Sequence, residues 1–105
     1  MHARITQFHI RQGKLEEFLG AIDSLVPLMH EQKGFRGLLV LRGNSAAGGS
    51  PEATVITTWD SLDSLRGSEE NLYFYRAMSR VLEFSDGFPA IGEHEVLASE
   101  FSSVA

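Results

Sequence analysis

The spacing of apolar and polar positions changes period twice in the first forty residues. Ala3 to Ile10, ARITQFHI, is short, rich in residues that suit a pleated surface, and closed by Gln12-Gly13, which predicts a strand and its turn. Alternation divides the strand into two rows: Arg4, Thr6, Phe8 and Ile10 on one side, Ala3, Ile5, Gln7 and His9 on the other. Both rows mix apolar with polar residues, unlike a strand with one dry and one wet face. From Lys14 the apolar residues fall at Leu15, Phe18, Leu19, Ile22, Leu25, Val26 and Met29, one face of an α-helix. Pro27 interrupts that run and predicts a kink, or the start of the last turn, near Leu25, with Lys33-Gly34 as the stop. Phe35 to Arg42, FRGLLVLR, returns to the pattern of a buried strand. GNSAAGGSPEA then reads as a flexible hairpin connection leading into ATVITTW, a third strand ending at Trp59.

After Trp59, Asp60 or Ser61 is placed to cap a short helical turn through Leu65, with Gly67 ending it. Ser68-Glu-Glu-Asn predicts the start of a longer helix to about Phe84. Phe74, Ala77, Met78, Val81 and Leu82 would face inward, and Arg76, Ser79, Arg80 and Glu83 outward. SDGFPAIG is turn-rich, and EHEVLASEF predicts a last strand. The order β-α-β-β-α-β is the split βαβ arrangement of an α+β, ferredoxin-like fold with an antiparallel four-stranded sheet, here one domain over residues 1–105. Helices cover one face of such a sheet. The other face is expected to carry a share of Phe8, Ile10, the Leu38 to Leu41 run and Trp59, an apolar patch that a second copy would cover as a homodimer joined through the sheet faces. The first strand is expected beside the third, with the last strand not its mate.

Composition narrows the partners more than the fold. A net charge of -5 and scattered Lys and Arg give no basic stripe for phosphates, so nucleic acid is not an expected partner. The chain contains no cysteine, which excludes disulfides, thiol nucleophiles and zinc-thiolate sites and suits a reducing compartment. The start, MHARITQF, has no apolar signal core and no apolar run approaches a membrane span, so a cytoplasmic location without membrane contact is expected. The Gly-rich connection after Arg42 lacks the Lys-Ser/Thr of a phosphate-binding loop and leads to a strand, not a helix. The four histidines show no HxxxH spacing, and no metal site is expected.

QGKLEEF, the stretch from Pro27 to GFRG, TTWDSLDSLRGSEEN and the closing HEVL strand together resemble the antibiotic biosynthesis monooxygenase domain family, over nearly the whole chain from Ala3 to about Phe101. The resemblance implies a dimeric α+β barrel in which two ferredoxin-like sheets meet face to face. It also implies an oxygen-using chemistry without bound cofactor, on a small aromatic or quinol-type substrate. Haem-degrading members combine a first-strand asparagine, a third-strand tryptophan and a later histidine. Here those positions fall at Thr6, Trp59 and Glu69 or its neighbours, so only the tryptophan is kept. Polyketide monooxygenases add an asparagine in the tryptophan's own strand, which here reads TVITT.

Two residues are candidates for chemistry on this reading. Trp59 would stack on a flat substrate and steady an anionic or radical intermediate, the alternative being packing with its N–H satisfied internally. His9 would serve as a general base for a phenolic substrate if its row faces the barrel, the alternative being a solvated strand histidine. Thr6, Phe8, Thr57, Tyr73, Tyr75 and Arg76 are the candidate pocket residues, with the aromatics as a lid over the barrel mouth and Arg76 as a charge over a bound oxyanion. A non-catalytic, small-ligand-binding homodimer is the alternative to an enzyme, motivated by the missing asparagines.

Overall fold

The two rows of the first strand belong to two different environments, and the fold is built around that difference. A computed structural model describes residues 1–43 and 52–101. The elements run β1 (His2–His9), α1 (Leu15–His30), β2 (Phe35–Arg42), β3 (Glu52–Trp59), α2 (Leu62–Glu69), α3 (Leu72–Leu82) and β4 (Ala90–Glu95). The connection between β2 and β3, expected to be a flexible hairpin, lies almost entirely outside the described residues.

The strands form one antiparallel sheet in the order β2-β3-β1-β4. This is the ferredoxin-like topology expected from the element order, with one correction. The last strand is the direct neighbour of β1, pairing Ala3 with His94 and Gln7 with Ala90. A split βαβ unit places its final strand at the outer edge of the first, because each crossover helix must return over the same face.

Register sorts the side chains. The β1–β3 pairs Arg4–Thr57, Thr6–Val55 and Phe8–Ala53 lie on the helix-covered face, where all six residues are buried. Phe8, Ile10, Phe18, Ile22, Leu25, Met29, Val55 and Val81 form the central core, with Phe8 and Phe18 edge to face at 5.1 Å. The opposite face carries Ile5, Gln7, His9, Ile56 and the exposed pair Leu39 and Leu41. The open face therefore holds part of the expected Leu38–Leu41 run, but not Phe8, Ile10 or Trp59. Those three are fully or almost fully buried under the helices, because period-two alternation puts them in the rows of Arg4 and Thr57.

Helix boundaries shifted for local reasons. α1 continues through Pro27 to His30; the missing N–H removes one bond near the end of a helix whose buried face is already anchored by Phe18, Ile22 and Leu25. Ser61 caps α2, its hydroxyl accepting from the Ser64 N–H at 3.1 Å. α2 runs past Gly67 to Glu69, and α3 begins after Asn71, not at Ser68. Gly67 ends nothing, since the turn between the two helices comes at Glu70-Asn71. β4 stops at Glu95, so the segment from Val96 to Phe101 is not strand. Gly34 has φ +80°, and a side chain there would collide with Ser64, so the α1–β2 turn seats directly on α2.

Candidate functional site

Between the helix-covered face and helices α1 and α3 lies a cavity of about 60 Å³. Its floor is Arg4, Thr6 and Phe8 of β1 with Val55 and Thr57 of β3; its walls are Ile22, Leu25 and Met29 of α1 and Phe74, Ala77, Met78 and Val81 of α3. The volume suits a couple of waters or a very small molecule and is well below the roughly 300–1,000 Å³ of sites for drug-sized ligands. Met29 and Met78 are unbranched and flexible, the side chains best able to yield to a larger ligand.

Trp59 is fully buried beside this cavity without lining it. Its ring meets Phe35 edge to face at 5.4 Å, and Phe35 in turn meets His30 at 5.2 Å. Its Nε1–H donates to Thr57 Oγ1 at 3.0 Å, so the indole's polar contact with the cavity lining runs through Thr57. The two residues are two apart on one strand and share a face, which makes the bond local and geometrically inevitable once both are buried.

Arg4 is the site residue that pattern reading missed. It is 4% exposed and sits on the cavity floor. Nε donates to Glu69 Oε1 at 3.0 Å, while Nη2 donates to the Leu65 carbonyl at 2.9 Å and to Ser68 Oγ at 3.2 Å. The guanidinium carbon lies 4.9 Å from the Phe74 ring centre and 5.8 Å from that of Trp59. A buried charge requires this many partners. The signal was present in the sequence: a charged residue in the row of Phe8 and Ile10, which made that face look mixed.

Of the expected pocket residues, the structure brings Thr6, Phe8 and Thr57 together at the cavity, with Trp59 behind Thr57. His9 is placed elsewhere. Its side chain is 60% exposed on the open face, 3.7 Å from Glu52, because it alternates with Phe8. Tyr75 and Arg76 lie on the exposed side of α3, in a shallow surface groove with Ser79 and Arg80. Helical spacing turns them away from Phe74, Ala77 and Met78. Tyr73 belongs to the first turn of α3, and its side chain is outside the described set.

The described residues lining the cavity include no Asp, Glu, His, Lys or Tyr, so none of them is a proton acceptor of ordinary basicity. Among the described residues no group of three His, Cys, Asp or Glu side chains is placed to hold a metal ion. No helix among them is long and apolar enough to cross a membrane. Outside the site, Arg66 of α2 grips Glu93 of β4 through two hydrogen bonds at 3.1 and 3.3 Å. That contact holds the Glu93 carboxyl below the usual carboxylate range and raises Arg66 correspondingly.

A four-stranded antiparallel sheet with a cavity beneath the helices on one of its faces defines a ferredoxin-like α+β domain with an interior site. Within that class, the chain belongs to the antibiotic biosynthesis monooxygenase family, whose model matches residues 1–80. No curated protein matches the chain. Solved structures share the fold at low identity. A Bordetella bronchiseptica protein named for the same family superposes with a TM-score of 0.79 at 15% identity, over 92% of this chain and 97% of its own. A Nitrosomonas europaea protein of unknown function gives 0.74 at 14% identity, over 98% and 95%. SnoaB, a cofactor-independent oxygenase from Streptomyces nogalater, gives 0.72 at 16% identity, over 93% and 94%.

Proposed function

We propose that this protein is a cofactor-independent monooxygenase acting on a small aromatic or quinol-type substrate, held in the cavity between sheet and helices. Family membership and the likeness to SnoaB support the reaction class. The observation that carries the site is Thr57, backed by Trp59, on the floor of a largely apolar cavity in which Arg4 is the one charged residue among the described lining. Trp59 acts here through Thr57: by holding the hydroxyl as an acceptor, the indole orients the remaining Thr57 O–H for a substrate oxygen. Desolvation and positioning are the protein's main contributions, and the ionised substrate itself passes an electron to dioxygen. The described lining supplies no base, so on this reading it positions the substrate anion and does not itself remove the proton.

The working unit on this reading is a homodimer. Ile5, Leu39, Leu41 and Ile56 make the open sheet face apolar, and a recess of about 700 Å³ lies there between the sheet and the segment from Val96 to Phe101. Oxygen uptake measured across phenols, anthrones and quinols tests the activity, with turnover expected for at least one class and reduced in Thr57→Val. Absence of uptake with every class, from a folded protein, overturns it. The second reading, a ligand-binding dimer without turnover, is favoured by the small volume of the cavity. Saturable binding of an aromatic ligand without oxygen consumption would establish it.

A further inference from the structure

A guanidinium has five N–H donors, and Arg4 uses only part of its fork. Nε and Nη2 are committed to Glu69, Leu65 and Ser68, whereas Nη1 has no hydrogen-bond partner among the described residues. The one fully enclosed side-chain nitrogen or oxygen without a partner among them is Nδ1 of His2, so Nη1 is not sealed off. The cavity is the opening that Arg4 lines. Arg4 is 4% exposed, lines the cavity, and has an Nη1 without a hydrogen-bond partner among the described residues, so it has donor capacity to offer an acceptor there. Its counter-ion, Glu69, stands at the water side with its side chain 34% exposed, so solvent screens the carboxylate more than the buried guanidinium.

We infer that Arg4 makes the cavity anion-selective: it takes a small, flat ligand whose carboxylate or ionised hydroxyl accepts from Arg4 Nη1 while its body packs against Phe74, Met29 and Met78. The inference rests on the reading that this cavity holds a ligand, and names the charge that ligand carries. Phe74 lies against the guanidinium at 4.9 Å, which fixes the plane of the fork and leaves its edge, not its face, for the ligand. Glu69 and the ligand compete for one cation. Neutralising Glu69 therefore strengthens anion binding instead of weakening it.

Benzoate and its neutral isostere benzamide test this by titration against the fluorescence of Trp59, the only tryptophan, whose ring is 5.8 Å from Arg4. Calorimetry serves as the second readout. The wild type is expected to bind benzoate about 10- to 100-fold more tightly than benzamide, the range a charge-assisted hydrogen bond supplies. Arg4→Met, which keeps the stem and removes the charge, is expected to abolish that preference. Glu69→Gln leaves Arg4 in place and is expected to tighten benzoate several-fold with benzamide unchanged; it decides the matter if Arg4→Met does not fold. Equal binding of the two probes by the wild type overturns the anion selectivity and leaves the cavity reading intact. A preference surviving in Arg4→Met, or no gain in Glu69→Gln, overturns it as well. Binding of neither probe overturns the cavity reading and this inference with it.

Discussion

Thr57→Val is close to isosteric, and its effect depends almost wholly on one hydrogen bond. Valine cannot accept from Trp59 Nε1, which donates to Thr57 Oγ1 at 3.0 Å on a fully buried side chain. The N–H would lose its partner without gaining water, a desolvation loss of about 1–3 kcal/mol. A methyl in place of the hydroxyl on an apolar cavity wall returns a fraction of that, so a net destabilisation of about 1.5 kcal/mol is expected. With urea m-values of about 1–3 kcal/mol/M, the unfolding midpoint falls by roughly 0.5–1.5 M. Urea titration followed by far-UV circular dichroism, at one fixed protein concentration, measures it. The decisive comparison is the same change in a Trp59→Phe background. With no indole N–H to satisfy, Thr57→Val should there be neutral or slightly stabilising, giving a coupling of about 1.5 kcal/mol or a little more between the sites. An equal loss in both backgrounds would refute the bond and, with it, the route by which Trp59 reaches the cavity.

Gly34→Ala combines a left-handed backbone with a collision against Ser64 and should cost about 1–3 kcal/mol; Ser64→Gly in the same chain should restore the steric part only, as read by thermal unfolding. Leu39→Asp, on the open face and outside the core, should leave the fold intact and convert a dimer to monomer in sedimentation; a variant that stays dimeric would place the interface elsewhere. The Glu93 carboxyl is depressed by Arg66, so its stabilising contribution is present above the ordinary Glu range and is lost as pH falls through the lower folded value. Glu93→Gln should therefore be less stable than wild type at neutral pH and match it in strong acid, with the difference shrinking in salt because the pair is at the surface. An undiminished difference at low pH would mean that the charge is not its source.

Periodicity carried the elements and set which strand residues share the cavity face. Thr6 and Phe8 stand two apart on β1, and Thr57 stands two before Trp59, so each pair had to share a face. The same rule separates His9 from Phe8, and only the assumption that a pocket lay between two sheets allowed both to be placed in it. Helical spacing already set Tyr75 and Arg76 outside the stripe of Phe74, Ala77, Met78 and Val81. Arg4 was hidden for a physical reason. A charged residue on a short strand ordinarily predicts solvent, and its burial depends on Leu65, Ser68 and Glu69, more than sixty residues away and on a helix whose end lies beyond an apparent glycine stop. The neighbour of β1 on its outer edge, by contrast, follows from the split βαβ element order itself, so the expectation of another mate conflicted with the fold already read from the sequence.

The alternation along β1 also separates two routes of divergence. Substitutions at positions 4, 6 and 8 alter the chamber beneath the helices, whereas those at 5, 7 and 9 alter the exposed sheet surface. Point changes within one eight-residue strand can therefore reshape the chamber without altering the open sheet face, or the reverse. A single-residue deletion there is different in kind: it exchanges the two sets at once, so this strand should tolerate substitution far better than any change in length.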